Sequence, residues 1–184
     1  MIRKIAVFCG SSLGSRPDYA QAARKLGALL GQSGRTLVFG GCADGLMKEV
    51  SQAALAAGGK VESEFIQDLF RESDHIPGAE EHIYPTLEER KLGLIAHSDA
   101  CIALPGGMGT LDELSEVFAR MQLGMKKRPL GLLNTCGYYD GLQAFISHMA
   151  AEGFLTKEWG SFIQIKSSPE GLLKALDDQA SVSR

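Results

Sequence analysis

Several signatures of common protein classes are missing from this sequence of 184 residues. Its cysteines form no C-x-x-C pair, so neither a zinc site nor a thioredoxin-type redox site is indicated. Its histidines do not have the sequence spacing that is typical of metal ligands. The sequence therefore predicts neither a metal nor a cofactor. The four cysteines are Cys9, Cys42, Cys101 and Cys136, and the four histidines are His75, His82, His97 and His148.

Long hydrophobic runs and strong net charge are also missing. No apolar run approaches the length of a membrane span, and residues 1–4 lead directly into an apolar run without a secretory h-region. The formal net charge of −3 gives no reason to expect nucleic acid or an acidic membrane as partner. We expect a cytoplasmic protein that binds neither.

The residues that are present predict an α/β fold. Hydrophobic residues make up 45% of the chain, an ordinary value for one domain, residues 1–184, with a sizeable core. Short apolar runs alternate with helical patterns from end to end, which predicts a Rossmann-like, doubly wound parallel sheet flanked by helices. The run 60–66 is a weaker strand that carries two glutamates, and we expect it to be partly exposed. Residues 67–85 are predicted to be irregular, as a lid, a binding loop or a disordered patch, and residues 179–184 are predicted to be a frayed tail.

A glycine turn at residues 105–110 is the strongest local signal. It follows an apolar run at 100–104 and precedes a helical pattern, so free N–H groups at the helix start favour an anion such as phosphate. The turn is neither a Walker A loop nor a dinucleotide fingerprint, because it lacks Gly-Lys-Ser/Thr and G-x-G-x-x-G. Thr110 and Glu113 also fit a capping box, so a purely structural role stays open.

Two further small-residue turns follow predicted strands, at residues 10–12 and 40–41. Because ligands bind at the carboxyl ends of parallel strands, we expect all three turns to meet at one edge of the sheet, which supports the anion site. The sequence His97-Ser98-Asp99 contains the residue types of a hydrolase triad. It is predicted to end a helix instead, because sequence neighbours rarely form a triad.

Two motifs carry a resemblance to a known family. Residues 105–113 fit P-G-G-x-G-T-x-x-E, and Glu89-Arg90-Lys91 lies upstream at the usual distance. The chain resembles, over nearly its whole length, the LONELY GUY family of cytokinin riboside 5′-monophosphate phosphoribohydrolases, formerly labelled possible lysine decarboxylases. The resemblance implies hydrolysis of the N-glycosidic bond of a nucleoside 5′-monophosphate, of the AMP or N6-modified AMP type, into free base and ribose 5-phosphate. It also implies a homodimer without a cofactor.

The resemblance assigns roles to individual residues. Arg90 and Glu113 match the catalytic pair of the family. Because an N-glycosidic bond breaks through a sugar cation, a carboxylate can stabilise that charge or activate water, whereas Arg90 cannot release a proton. Residues expected to bind substrate or phosphate are Ser11, Gly41, Glu72, Lys91, Gly106, Gly107, Met108, Gly109, Thr110 and Asp112. The dimer contact is expected near Met121, Leu123 and Met125.

Three departures from the family pattern predict a changed base preference. Cys42 stands where the family usually has a third glycine, residues 62–66 replace a G-V-I-P turn, and Leu87-Glu88 replaces Met-His. Two alternatives remain open at the level of sequence. One is a protein of related fold that binds nucleotide or molybdenum cofactor without hydrolysis. The other is an amino-acid decarboxylase, although no lysine here has the surroundings of a pyridoxal phosphate site.

Overall fold

The computed structural model describes residues 1–69 and 71–182, and within them seven parallel strands form one sheet in the order β4-β3-β2-β1-β5-β6-β7. This architecture confirms the predicted doubly wound α/β fold. The strands are β1 (Lys4–Phe8), β2 (Thr36–Phe39), β3 (Val61–Ile66), β4 (Glu80–Tyr84), β5 (Ala100–Ala103), β6 (Leu130–Leu133) and β7 (Gln164–Lys166).

Helices cover both faces of the sheet. Alternation along β1 shows why there are two cores: Ile5 and Val7 face one hydrophobic cluster, and Ala6 and Phe8 face the other. The first cluster packs against α1, α2 and α7, and the second against α3, α4 and α5. The helices are α1 (Pro17–Gln32), α2 (Gly45–Ala56), α3 (Leu87–Ala96), α4 (Met108–Gln122), α5 (Asp140–Ala151), α6 (Lys157–Gly160) and α7 (Pro169–Val182).

The strand order reverses between β1 and β5, and this position prepares the site. From β1 the sheet continues through β2 and β3 to β4 at one edge. From β5 it continues through β6 to β7 at the other edge. In such sheets the crevice outside the carboxyl ends of the two central strands is the usual ligand site. Here the loops after β1 and β5 touch directly, since the Gly10 N–H donates to the Pro105 carbonyl at 3.1 Å.

The segment 67–85 is more ordered than its sequence predicts. It contains two short 3₁₀ turns, Gln67–Leu69 and Glu72–Asp74, and then the edge strand β4. Because β4 pairs with β3, Glu62 and Glu64 are only 7% and 0% exposed. The expectation that β3 is partly exposed was therefore wrong. The polar sequence of residues 80–84 does not indicate a strand, so the sequence did not predict that β4 lies next to β3.

The C-terminal helix also continues further than expected. α7 extends to Val182, and the Gln179 side chain bonds the Leu130 N–H and the Phe162 carbonyl, at 3.3 and 2.8 Å. These bonds tie the end of the helix to β6 and to the loop before β7, so residues 179–182, which were expected to form a frayed tail, are part of α7 in the structure. Residues 183–184 lie outside the described part. No helix in that part is long and apolar enough to cross a membrane.

Candidate active site

The glycine turn leads into α4 and leaves the first N–H groups of that helix without hydrogen-bond acceptors in the helix. The Leu111 N–H donates the first bond of the helix, to the Gly107 carbonyl at 3.2 Å. The N–H groups of Met108, Gly109 and Thr110 therefore have no helical acceptor. A side chain at Gly107 or Gly109 would meet no atom within 4 Å, so a ligand can approach this backbone.

The capping-box alternative does not hold in the structure. Gly107 is the residue that precedes α4, and Thr110 lies inside the first turn, where it is 5% exposed. A Cβ at Gly106 would lie 2.1 Å from the Thr110 Oγ1 and 2.9 Å from the Gly10 backbone nitrogen. Gly106 is thus required for the close contact between the turn and the loop after β1.

Arg90 of α3 and Glu113 of α4 face each other across this crevice. The Arg90 Nη1 and the Glu113 Oε1 are 2.5 Å apart, and the two side chains are only 12% and 14% exposed. The Arg90 Nε donates to the Glu64 carbonyl at 3.2 Å. Gly40 provides the space for this guanidinium, because a Cβ at that position would lie 1.9 Å from Nη2. Two strand ends, β2 and β3, therefore fix Arg90 against Glu113.

The electrostatics of Glu113 reflect two opposing effects. Burial raises the pKa of its carboxyl above the ordinary 4.5, while the charge and hydrogen bond of Arg90 act in the opposite direction. The negative charge of Asp112 adds to the rise. The result is a desolvated carboxylate beside the free N–H groups at the start of α4, a group suited to stabilising positive charge or activating water.

A second ion pair joins the same two helices. The Lys91 Nζ lies 3.1 Å from the Asp112 Oδ2 and 3.6 Å from a Glu116 carboxylate oxygen. Hydrogen bonding to Asp112 raises the pKa of Lys91, so its ammonium stays charged. The structure places Lys91 and Asp112 beside the Arg90–Glu113 pair, with the ammonium engaged by carboxylates of α4.

Two cavities of about 390 Å³ each meet at Arg90. We name the first the glycine-turn cavity; it is lined by Cys9, Gly10, Ser11, Met47, Arg90, Gly107, Met108, Gly109, Thr110 and Glu113. We name the second the strand-end cavity; it is lined by Gly40, Cys42, Asp44, Phe65, Ile66, Leu69, Arg71, Asp74 and Arg90. One cavity thus combines backbone donors with the carboxylate, and the other is mostly apolar with charged residues at its edge.

The remaining predicted residues take different positions. Ser11 is exposed and lines the glycine-turn cavity. Gly41 is buried with a positive φ of 78°, and a Cβ there would lie 2.6 Å from the Phe65 ring. Glu72 is exposed in the second 3₁₀ turn, between Arg71 and the cavity-lining Asp74.

Sequence reasoning missed several residues around the two cavities. Arg71 and Asp74 carry no motif, and only their place in the poorly readable segment marked them. Tyr138 and Tyr139 brace the glycine turn, because their hydroxyls donate to the carbonyls of Gly106 and, at 2.5 Å, Leu104. Burial raises the pKa of Tyr139, which keeps its hydroxyl a donor.

The sequence is similar to known proteins over most of its length. The family model described as "Possible lysine decarboxylase" matches residues 47–176. The cytokinin riboside 5′-monophosphate phosphoribohydrolases LOG1 and LOG3 of Arabidopsis thaliana are both 41% identical to this chain, over 177 and 179 residues. These alignments cover 96% and 97% of this chain and 83% of each relative.

Solved structures share the fold at lower identity. The molybdenum cofactor binding protein of Rippkaea orientalis is 23% identical with a TM-score of 0.73, and 97% of each chain is covered. The Moco carrier protein of Chlamydomonas reinhardtii is 18% identical with a TM-score of 0.70, and 99% of each chain is covered. At these identities the likeness concerns the fold alone. The relatives LOG1 and LOG3, named cytokinin riboside 5′-monophosphate phosphoribohydrolases, are similar to this chain over nearly its whole length. Together with the match of the family model, this similarity shows that the chain belongs to the possible lysine decarboxylase family.

Proposed function

We propose that this protein is a hydrolase that cleaves the N-glycosidic bond of a nucleoside 5′-monophosphate, AMP or an N6-modified AMP. The products are the free base and ribose 5-phosphate. The observation that carries the proposal is the Arg90–Glu113 pair at the junction of two cavities. A nucleoside 5′-monophosphate likewise has two dissimilar parts, the ribose 5-phosphate and the base, and the N-glycosidic bond that is cleaved joins them.

The phosphate and ribose fit the glycine-turn cavity. The N–H groups at residues 108–110 point into it with the positive end of the α4 dipole behind them, an arrangement that binds phosphate. The Ser11 side chain lies in the same lining and offers a hydroxyl. Phosphate binding here holds the ribose beside Glu113, which converts remote binding energy into orientation of the reacting carbon.

The base fits the strand-end cavity. Phe65, Ile66 and Leu69 provide apolar contact, and the Phe65 ring can stack on a purine. Arg71 and Asp74 supply polar groups that can read the edge of the base. Cys42 and the Phe65-Ile66 sequence are departures from the family pattern, and both line this cavity. The base preference is therefore the property in which this chain is expected to differ from its relatives.

Chemistry at the junction follows from the charges there. The C1′–N bond breaks with its electron pair going to the base, and positive charge develops on the sugar. The Glu113 carboxylate stabilises that charge and accepts a proton from the attacking water, whose oxygen bonds to C1′. Overall, water supplies OH to the sugar and H to the base. Arg90 keeps the carboxylate ionised against the effect of burial.

Two other functions fit these cavities less well. A carrier that only binds nucleotide or cofactor has no use for a carboxylate that burial and α4 hold in the junction. A pyridoxal phosphate decarboxylase requires a lysine at the reacting centre, and no lysine lines either cavity among the residues that the structure describes.

The decisive experiment incubates the protein with a panel of nucleoside 5′-monophosphates and detects released base by chromatography. We expect release from AMP or an N6-modified AMP, and none from the Glu113→Gln variant. Binding without release by a folded wild-type protein would favour the carrier function. Release that continues unchanged in the variant would remove Glu113 from the reaction.

We also propose a homodimer with one site close to each subunit boundary. On α3, Leu92 is 40% exposed, and just beyond the end of α4, Leu123 and Met125 are 79% and 48% exposed. Met121, which the sequence placed in the contact, is 2% exposed and belongs to the core. Grouped exposed apolar residues often mark an interface. Light scattering at micromolar concentration tests this, and a mass near 19.7 kDa would refute it.

A further inference from the structure

Four residues with metal-binding side chains meet away from the two cavities. Glu62 and Glu64 lie on β3, His82 lies on β4, and His97 follows the last residue of α3. Each offers one ligand atom, and these four atoms lie within 4.8 Å of one another. The cluster is separate from the Arg90–Glu113 pair, because Arg90 contacts only the backbone carbonyl of Glu64.

Two buried atoms in this cluster have no hydrogen-bond partner among residues 1–69 and 71–182. Glu64 is 0% exposed, and its Oε1 lies 2.9 Å from the His97 Nδ1, while Oε2 is unpartnered. The His82 Nε2 is likewise buried and unpartnered. Its nearest carboxylate oxygen, on Glu80, is 3.6 Å away, which is beyond hydrogen-bond distance. Buried polar atoms without partners are rare and require an explanation.

The charges of the cluster favour a cation. The Lys4 ammonium lies 2.6 and 2.9 Å from the two oxygens of Glu62 and so balances that carboxylate. Among the described residues, no Lys or Arg side chain forms an ion pair with Glu64, whose Oε1 lies 2.9 Å from the His97 Nδ1. A carboxylate buried in this way is normally paired with a charge or bound to a metal.

We propose that Glu62, Glu64, His82 and His97 form a structural site for a divalent transition-metal ion, with Zn²⁺ as the best fit. Zn²⁺ accepts imidazole nitrogens and carboxylate oxygens as ligands at about 2.0–2.2 Å and favours tetrahedral coordination by four of them. The oxygens of Glu62 keep lone pairs beyond those used by Lys4. The side chains of His82 and His97 are 29% and 37% exposed, which gives the ion a route from solvent.

Such an ion would fasten the edge of the sheet. It would join β4 to β3 and to the end of α3 at a point where β4 has no neighbouring strand on its outer side. Because Arg90 reaches the backbone of Glu64 and not its side chain, the ion takes no part in the reaction. The site therefore stands whether or not the protein is a hydrolase, and its signature is binding and stability.

The test titrates chelator-stripped, full-length protein with Zn²⁺ in a calorimeter and with Co²⁺ in a spectrophotometer. We expect one ion per chain with a Kd of micromolar or lower, visible Co²⁺ bands of a four-coordinate N/O site, and a higher Tm with Zn²⁺. His82→Asn and Glu64→Gln should each weaken binding at least about 100-fold. His148→Asn removes an exposed histidine of α5 and should leave binding unchanged.

A measurement on the wild-type protein locates the ion even if a variant fails to fold. NMR of the ring nitrogens should show Zn²⁺-dependent shifts for His82 and His97 and none for His75 and His148. The proposal is overturned if the wild-type protein binds Zn²⁺ no tighter than about 100 μM. It is equally overturned if binding survives in a folded His82→Asn variant or if the shifted rings are His75 or His148.

Discussion

Gly40→Ala is predicted to lower kcat/KM for the nucleotide while leaving the fold intact. The φ of Gly40 is not among the positive values, so alanine fits the backbone. Its Cβ, however, would lie 1.9 Å from the Arg90 Nη2, whereas ordinary contact starts at 3.4 Å. The guanidinium must therefore move by about 1.5 Å, and it can do so because it ends a long, flexible side chain.

The magnitude follows from the contact that this movement breaks. The Arg90 Nη1 lies 2.5 Å from the Glu113 Oε1, and a shift of about 1.5 Å takes this pair beyond hydrogen-bond distance. A hydrogen bond to a charged group contributes about 1.5–3 kcal/mol. If that energy is lost in the transition state, kcat/KM for the nucleotide falls by roughly 10- to 150-fold.

The assay compares base release by wild type, Gly40→Ala and Gly141→Ala, with thermal unfolding as the measure of stability. Gly141 of α5 is the matched control, since a Cβ there meets no atom within 4 Å and Gly141 lines neither of the two cavities that meet at Arg90. We expect normal turnover for Gly141→Ala and a Tm near that of wild type for both variants. Wild-type turnover by folded Gly40→Ala would refute the argument that the position of Arg90 controls catalysis.

Three further predictions test the same site. Glu113→Gln should abolish base release in a folded protein, and retained turnover would show that the carboxylate is not catalytic. The acid limb of the kcat/KM profile should have a midpoint above pH 4.5, because burial raises the pKa of Glu113 and activity requires its ionised form; a midpoint at or below 4.5 would contradict this assignment. Adenosine should be hydrolysed at least about 100-fold less efficiently than AMP, a difference of about 2.7 kcal/mol, because it lacks the group that the start of α4 binds. Similar efficiencies for the two substrates would mean that the glycine turn is only structural.

Periodicity and turn chemistry predicted most of the fold and the position of the site. Apolar runs ending in glycine turns located β1, β2 and β5, and the rule for parallel sheets brought their ends together. Pro17 at the first position of α1 and the Thr86 hydroxyl, which accepts from the Glu89 N–H, start their helices as expected. These signals are local, so a single sequence displays them.

Features that depend on tertiary contacts could not be read from the sequence. β4 has the sequence of a charged loop, and it is a strand because β3 offers it a hydrogen-bonding edge. His82 and His97 are far apart in sequence but have ring centroids only 5.1 Å apart. The capping-box alternative for Glu113 could be rejected only when the structure showed that Gly107, and not Thr110, precedes α4.

The bond from the Arg90 Nε to the Glu64 carbonyl has a consequence for how the specificity of this protein can change. Every amino acid carries the same carbonyl, so substitutions along the end of β3 leave the anchor of Arg90 in place. Phe65 and Ile66 line the strand-end cavity on that same stretch. We therefore expect that new bases can be accommodated by exchanging these side chains without disturbing the Arg90–Glu113 ion pair. For the same reason, we expect genetic drift and laboratory selection to change the substrate range more readily through substitutions at Phe65 and Ile66 than through substitutions at the glycines of the glycine turn.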